Sequence, residues 1–263
     1  MLNNITLGQY YPADSAVHRL DPRMKILLLV AMIVAIFLCG DLLAYIPVIG
    51  VLALASYLSK VPFRLLLKGL RPLRFILVFT FILNLFFLQG ETPLLNLGFT
   101  VITREALLTA IQYSLRLVLL VLFSSLLTLT TAPVTLTDGL ERLLSPLRVI
   151  HFPAHEMAMM MTIALRFIPT LLEEADKIMK AQSARGADFE SGNLIARAKA
   201  MVPLLVPLFV SAFRRAGELA MAMEARCYHG GEGRTRLRVL RLHRGDFIAA
   251  LVAAALIAVT AVL

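Results

Sequence analysis

Residues 24–40 read MKILLLVAMIVAIFLCG, 17 positions whose one charge, Lys25, stands at the leading edge. As a helix this stretch approaches the length needed to cross a hydrocarbon core of about 30 Å. Four more stretches have the same character: 42–59, 72–88, 106–132 and 247–263. Lipid offers the backbone no hydrogen-bond partners, so each segment must close its own bonds, and all five are expected as helices. The whole composition agrees, with 59% of the 263 residues hydrophobic, 16% charged and a mean hydropathy of +0.80. A water-soluble domain of this length could not bury so much apolar surface, and that class is excluded.

The first stretch could be taken for a signal peptide with Cys39 as a lipoprotein cysteine. Leu38, however, occupies the position where a small residue precedes a cleavage site, so the stretch reads as a retained span. Cys39 and Cys227 are the only cysteines and lie far apart, which leaves neither a disulfide framework nor a CxxC metal site.

Lys and Arg set the sidedness. Arg19, Arg23 and Lys25 flank the first span, Lys60, Arg64, Lys68, Arg71 and Arg74 lie between the second and third, and sixteen more follow from Arg142 to Arg244. The opposite connections carry Arg104 with Asp41, Glu91 and Glu105, so 24 of 26 basic residues fall on one side, expected to be the cytoplasm. Five spans from an inside N-terminus put the C-terminus outside. The net charge of +9 belongs to these loops, and no nucleic-acid partner is expected.

Arg116 lies inside the fourth span, four residues after Gln112. Two readings stand: it snorkels to the outer interface, or it packs between helices. None of the five spans holds an acidic residue away from its ends, so a proton relay has no carboxylates to use.

Between the fourth and fifth spans lie charged helical segments and apolar patches too short to cross. The division expected is a membrane domain 1–132, a cytoplasmic coupling domain 133–245 and a last span 246–263. An amphipathic helix is read over 136–148, a long helix over 154–185 with a bend at Pro169 and a stop at Gly186, and a second long stretch over 194–228. Pro203 and Pro207 are expected to interrupt the second, whose apolar part, 201–213, suits a helix lying along the membrane face. Eight of the eleven methionines fall in this region, including Met157, Met160 and Met161. Methionine serves both core packing and surfaces that fit several partners.

The two long helices echo each other at an offset of 41. Ala184-Arg185 overlays Ala225-Arg226, and Glu173-Glu174 overlays Arg214-Arg215 with reversed charge, so the helices would attract where they cross. One arginine in a last turn is accounted for by the helix dipole, worth about 0.3–1 kcal/mol. A matched pair points further, to docking on a pseudo-symmetric partner through guanidinium groups that lysine cannot copy.

At these residues the sequence resembles the transmembrane T component of energy-coupling factor (ECF) transporters. The features are Arg166-Phe167-Ile168-Pro169-Thr170-Leu171-Leu172-Glu173-Glu174-Ala175-Asp176, Ala184-Arg185-Gly186, Glu224-Ala225-Arg226, and His18-Arg19-Leu20-Asp21-Pro22-Arg23-Met24-Lys25 before the first span. The resemblance implies an all-α polytopic membrane protein of about five transmembrane helices, with a cytoplasmic coupling region built on two long crossed helices. It implies a non-catalytic scaffold between two ABC-type ATPase subunits and a membrane-embedded S component, dedicated or one of several, for vitamin or micronutrient uptake. ATP and Mg would sit on the ATPase subunits and no cofactor on this chain. Arg185 and Arg226, with Ala184, Gly186 and Ala225, would dock in the ATPases. The S component would face Met157, Met160, Met161, Leu204 and Leu208. Cys227 stands where the family's second motif usually has Gly, which leaves the end of that helix open.

Two rival readings lack the residues they need. A lipid head-group enzyme of the phosphatidyltransferase type needs Asp-Gly ahead of Ala-Arg, but Asp138-Gly139 is followed by Leu140-Glu141-Arg142. An ABC permease with its own substrate path needs a polar lining that these spans lack beyond Asn84, Gln112, Arg116 and scattered Ser and Thr. A Walker A loop is absent. His151 and His155 are spaced i, i+4 beside Glu156, but Pro153 between them argues against one ligating face, and no metal site is expected.

Overall fold

The computed structural model describes residues 10–88, 92–96, 101–187, 189, 193–231 and 240–262. Within these the chain forms α1 (Pro22–Leu38), α2 (Tyr45–Ser59), α3 (Phe63–Lys68), α4 (Arg74–Phe87), β1 (Pro93–Asn96), β2 (Val101–Thr103), α5 (Arg104–Thr130), α6 (Pro133–Leu144), α7 (Ala154–Ala184), α8 (Leu194–Glu224) and α9 (Arg244–Val262). It is an all-α polytopic membrane protein. The antiparallel pair β1–β2 lies between α4 and α5; residues 97–100, like Glu91 and Leu263, lie outside the described residues.

Two compact units result, Gly8–Leu143 with Val239–Leu263, and a second built on Leu144–Arg238. In the first, α1, α2, α5 and α9 bury Ile36, Tyr45, Val48, Leu122, Phe123 and Leu256 among them. Leu42–Ser59, Arg104–Thr130 and Arg244–Val262 are long and apolar enough to cross a membrane. α1 has 17 residues, and α4 has 14, about 21 Å, because tight i→i+3 turns from Gly69 to Arg74 replace its expected first turn. The same criteria admit Ala198–Glu224, which the sequence reading laid along the membrane face.

The segment before α1 ties the ends of the bundle together. Asp21 caps α1 by accepting the Arg23 N–H at 2.9 Å, with Pro22 at the first helical position. Its carboxyl is raised by burial, but the Arg23 guanidinium and N–H outweigh this and hold it below the usual carboxylate range. Buried Lys25 donates to the Thr130 carbonyl at the end of α5 at 2.9 Å, and to the His18 carbonyl and Thr131 Oγ1. Asp246, 1% exposed at the start of α9, accepts the Asp21 N–H at 2.9 Å and the His243 N–H at 2.7 Å. The starts of α1 and α9 and the end of α5 therefore meet at one end of the bundle, as alternating spans require. Gly139 of α6 belongs to this knot, since a Cβ there would come within 3.0–3.2 Å of Pro22 and Arg23 backbone and ring atoms.

At the other end of α1, Arg116 is a packing residue. Its Nε donates to Tyr45 Oη at 3.2 Å and its Nη2 to the Cys39 carbonyl at 3.2 Å, while Gln112 donates to the Cys39 and Gly40 carbonyls. The guanidinium lies 5.3 Å from the Phe37 ring centroid and 5.5 Å from that of Tyr113. The Cys39 and Gly40 carbonyls, just past the end of α1, thus receive their donors from α5.

Candidate functional site: two matched arginine turns

The second unit is organised by α7 and α8, each 31 residues long. α7 runs through Pro169 and α8 through Pro203 and Pro207, so the expected interruption does not occur. Pro203 and Pro207 are both exposed and four residues apart, which places their missing N–H groups and ring crowding on one side of the helix, away from packing. The helices pack in opposite senses. Glu174 meets Ser211 and Arg215, and the residues following α8 return to the start of α7, where Tyr228 Oη donates to Met159 Sδ at 2.9 Å and lies 3.5 Å from His155 Nε2. The attraction read from the charge overlay is present: Arg215 Nη2 to Glu174 Oε2 is 2.7 Å. The Ser211 hydroxyl first, and the Arg215 guanidinium next, hold the Glu174 carboxyl below its ordinary range.

Both helices end in the same turn. At the end of α7 the N–H groups of Arg185 and Ala187 donate to the Gln182 carbonyl and that of Gly186 to Ser183, each at 3.0 Å. At the end of α8 those of Arg226 and Tyr228 donate to the Met223 carbonyl at 3.1 and 3.0 Å and that of Cys227 to Glu224 at 2.9 Å. Every partner is displaced by 41 residues, so the repeat seen in sequence is also a repeat of backbone geometry. Each turn closes on a left-handed residue, Gly186 with φ +91° and Cys227 with φ +55°. The cysteine thus takes the glycine's conformation, the helix ends at Glu224 rather than near 228, and Arg226 is presented as Arg185 is. Ala184, Arg185, Gly186, Ala225 and Arg226 are all exposed.

Holding a cysteine in the left-handed region costs about 1–2 kcal/mol that glycine avoids. Cys227→Gly is therefore expected to raise the melting temperature of the detergent-solubilised chain by about 2–8 °C, and Gly186→Ala to lower it similarly. Unchanged melting in both variants, followed by circular dichroism, would show that these turns are not held.

Met157, Met160 and Met161 are exposed on α7, whereas Leu204 is buried and Leu208 half-buried on α8. The apolar part of this helix read from sequence, 201–213, leaves Met201, Val202, Leu205, Val206, Phe209 and Phe213 exposed as a stripe beside them. Its repeat at i, i+1, i+4, i+5 is the signal that finds it. Among the described residues no group of three His, Cys, Asp or Glu side chains is placed to hold a metal.

The chain is thus a polytopic helical membrane protein with a paired-helix unit ending in two equivalent arginine turns. The CbiQ family model, described as cobalt transport protein, matches residues 13–237. The energy-coupling factor transporter transmembrane protein EcfT of Clostridium kluyveri is 54% identical over 99% of this chain and 97% of its own length. That of Acidaminococcus fermentans is 54% identical over 100% and 98%, and that of Listeria innocua 48% over 94% and 93%. The chain belongs to this family of energy-coupling factor transporter transmembrane proteins and is a multi-pass membrane component of a transporter.

Proposed function

We propose that this chain is the non-catalytic scaffold that passes ATP-driven displacement from two ABC-type ATPase subunits to a small substrate-binding S component, for uptake of a vitamin or other micronutrient. The observation that carries the reading is the pair of superimposable turns presenting Arg185 and Arg226. Two equivalent tips suit two equivalent grooves, such as a dimer of ATPase subunits offers. ATP and Mg belong to those subunits. Nucleotide binding closes the dimer, its grooves carry the arginines, and α7 and α8 transmit the motion as levers; the difference in contacts between open and closed dimers supplies the energy. The N-terminus lies in the cytoplasm and the C-terminus outside, by the Lys and Arg distribution. The exposed apolar stripe of α8, with Met157, Met160 and Met161, forms the seat of the S component. α8 lies at the membrane face, because Arg214, Arg215, Glu218 and Glu224 fill its second half and leave about 20 Å of apolar length.

A permease carrying its own vitamin path is less well supported. A cavity of about 410 Å³ in the bundle is lined by Leu28, Leu54, Phe123, Leu127 and Val252, and its polar members, Lys25 and Thr130, are already hydrogen-bonded. The test is isolation of the tagged chain from native membranes. Two ABC ATPase subunits and one small membrane protein per chain are expected, with vitamin bound by the small protein. Labelled vitamin bound by the isolated chain, or a chain isolated without ATPases, would overturn the proposal.

A further inference from the structure

Arg185 lies 11 residues after Glu174, and Arg226 lies 11 residues after Arg215. Glu174 and Arg215 are themselves equivalent under the offset of 41, and they touch. Since the helices run in opposite senses, each arginine turn stands about 16 Å from this contact, one on either side. The two tips, on the order of 30 Å apart, are thus related by an approximate local two-fold passing through the Glu174–Arg215 pair.

The joint is not fully closed. Glu174 uses one oxygen for the Ser211 hydroxyl and the other for Arg215 Nη2, an end-on contact. Arg215 Nε is buried without a partner among the described residues, beside a gap of about 260 Å³ lined by Ile163, Phe167, Leu171, Ala216 and Leu219. A guanidinium bound by one nitrogen can rotate about its carboxylate, and engaging Nε as well would convert the contact to the side-on, two-bond form. The apolar walls around it are set by small residues, Ala212, Ala216 and Ala220, which leave room for that rotation.

We propose that Glu174, Ser211 and Arg215 are the pivot of the lever pair: positioning residues that set the separation and mutual orientation of Arg185 and Arg226 by a charge-assisted joint with one donor in reserve. The functional part of this inference rests on the ATPase-docking reading, but the geometric part does not. Both parts are read in separate arms of one experiment.

In the first arm the chain in lipid nanodiscs carries nitroxides on native Cys227, which is exposed, and on Ser183→Cys; Cys39 is buried and stays unlabelled. Pulsed electron resonance is expected to give one narrow distance on the order of 30 Å. Glu174→Gln and the conservative Arg215→Lys broaden the distribution about twofold or more, and Glu174→Arg combined with Arg215→Glu restores it. In the second arm the same variants, reconstituted in proteoliposomes with the co-isolated ATPases and S component, bind the ATPases within about twofold of the parent. They hydrolyse about tenfold more ATP per vitamin taken up, and the charge-swapped pair recovers coupling. An unchanged, narrow distribution in both single variants overturns the pivot. So does failure of the swapped pair to restore both readouts, which would reduce the contact to ordinary helix packing. Broadened distances with ATPase binding indifferent to Arg185 and Arg226 would leave the geometric pivot standing and defeat the docking reading instead.

Discussion

Under the proposed docking role, Arg185→Ala combined with Arg226→Ala is expected to detach the ATPase subunits and to reduce vitamin uptake in proteoliposomes to background. Both side chains are exposed at the ends of their helices and make no ion pair among the described residues, so the isolated chain should melt within about 1 °C of the parent. In a partner's groove a central arginine is worth about 2–4 kcal/mol on truncation. Each single alanine variant therefore weakens ATPase binding by about 30- to 1,000-fold, and the double variant by at least about 1,000-fold. Lysine keeps the charge but not the planar fork, so Arg185→Lys and Arg226→Lys should fall between parent and alanine. The measurement is affinity of the nanodisc-held chain for the purified ATPase pair, with uptake in parallel. Near-equal effects at the two positions are expected because the two turns share their backbone bonds. A double variant that retains ATPase binding and uptake sinks the docking role.

Asp246→Ala produces the largest loss of folding stability. Its two oxygens accept the N–H groups of Asp21 and His243, one of them the cap residue of α1, and the side chain is almost wholly buried. Removal leaves the buried Asp21 N–H without its acceptor, at about 1–3 kcal/mol, and the partly buried His243 N–H at less, so a loss of about 2–4 kcal/mol is expected. It also withdraws negative charge from the neighbourhood of Lys25 and Arg23. Asn keeps one carbonyl oxygen and replaces the other by a donor, so Asp246→Asn should lose about half as much. Unfolding of the detergent-solubilised variants reads this directly, and an alanine variant as stable as the parent would show that the knot at the bundle end is not what holds α1 and α9 together.

Nothing in the His18–Lys25 sequence reveals this knot. Its residues mark a family, but their acceptors lie more than 100 positions away, on Thr130 and Asp246. Arg116 was undecidable for the same reason: snorkelling and packing differ only in whether the end of another helix lies within reach, and Cys39 and Tyr45 prove to be there. Leu204, expected at a partner surface, is buried, because heptad-like spacing places a residue on a helix without saying which side is covered. Pro203 and Pro207 each remove one i→i−4 hydrogen bond and crowd the preceding turn, yet α8 continues through both, and both are exposed.

What chain chemistry settled alone was whatever depends on solvent and on neighbours within about one helical turn: that the chain is built largely of apolar helices for lipid, where α7 stops, and that Glu174 and Arg215 carry opposite charge at equivalent heights. Those are set by local hydrogen bonding and transfer free energies, and no folded partner is needed to read them. Folding in three dimensions was required for everything that depends on meeting: that Cys227 bends into the left-handed turn glycine would take, that the two charges touch, and that the arginine tips stand equally far from that contact. Such facts follow from long-range packing, which compels a residue into a conformation its own preferences oppose.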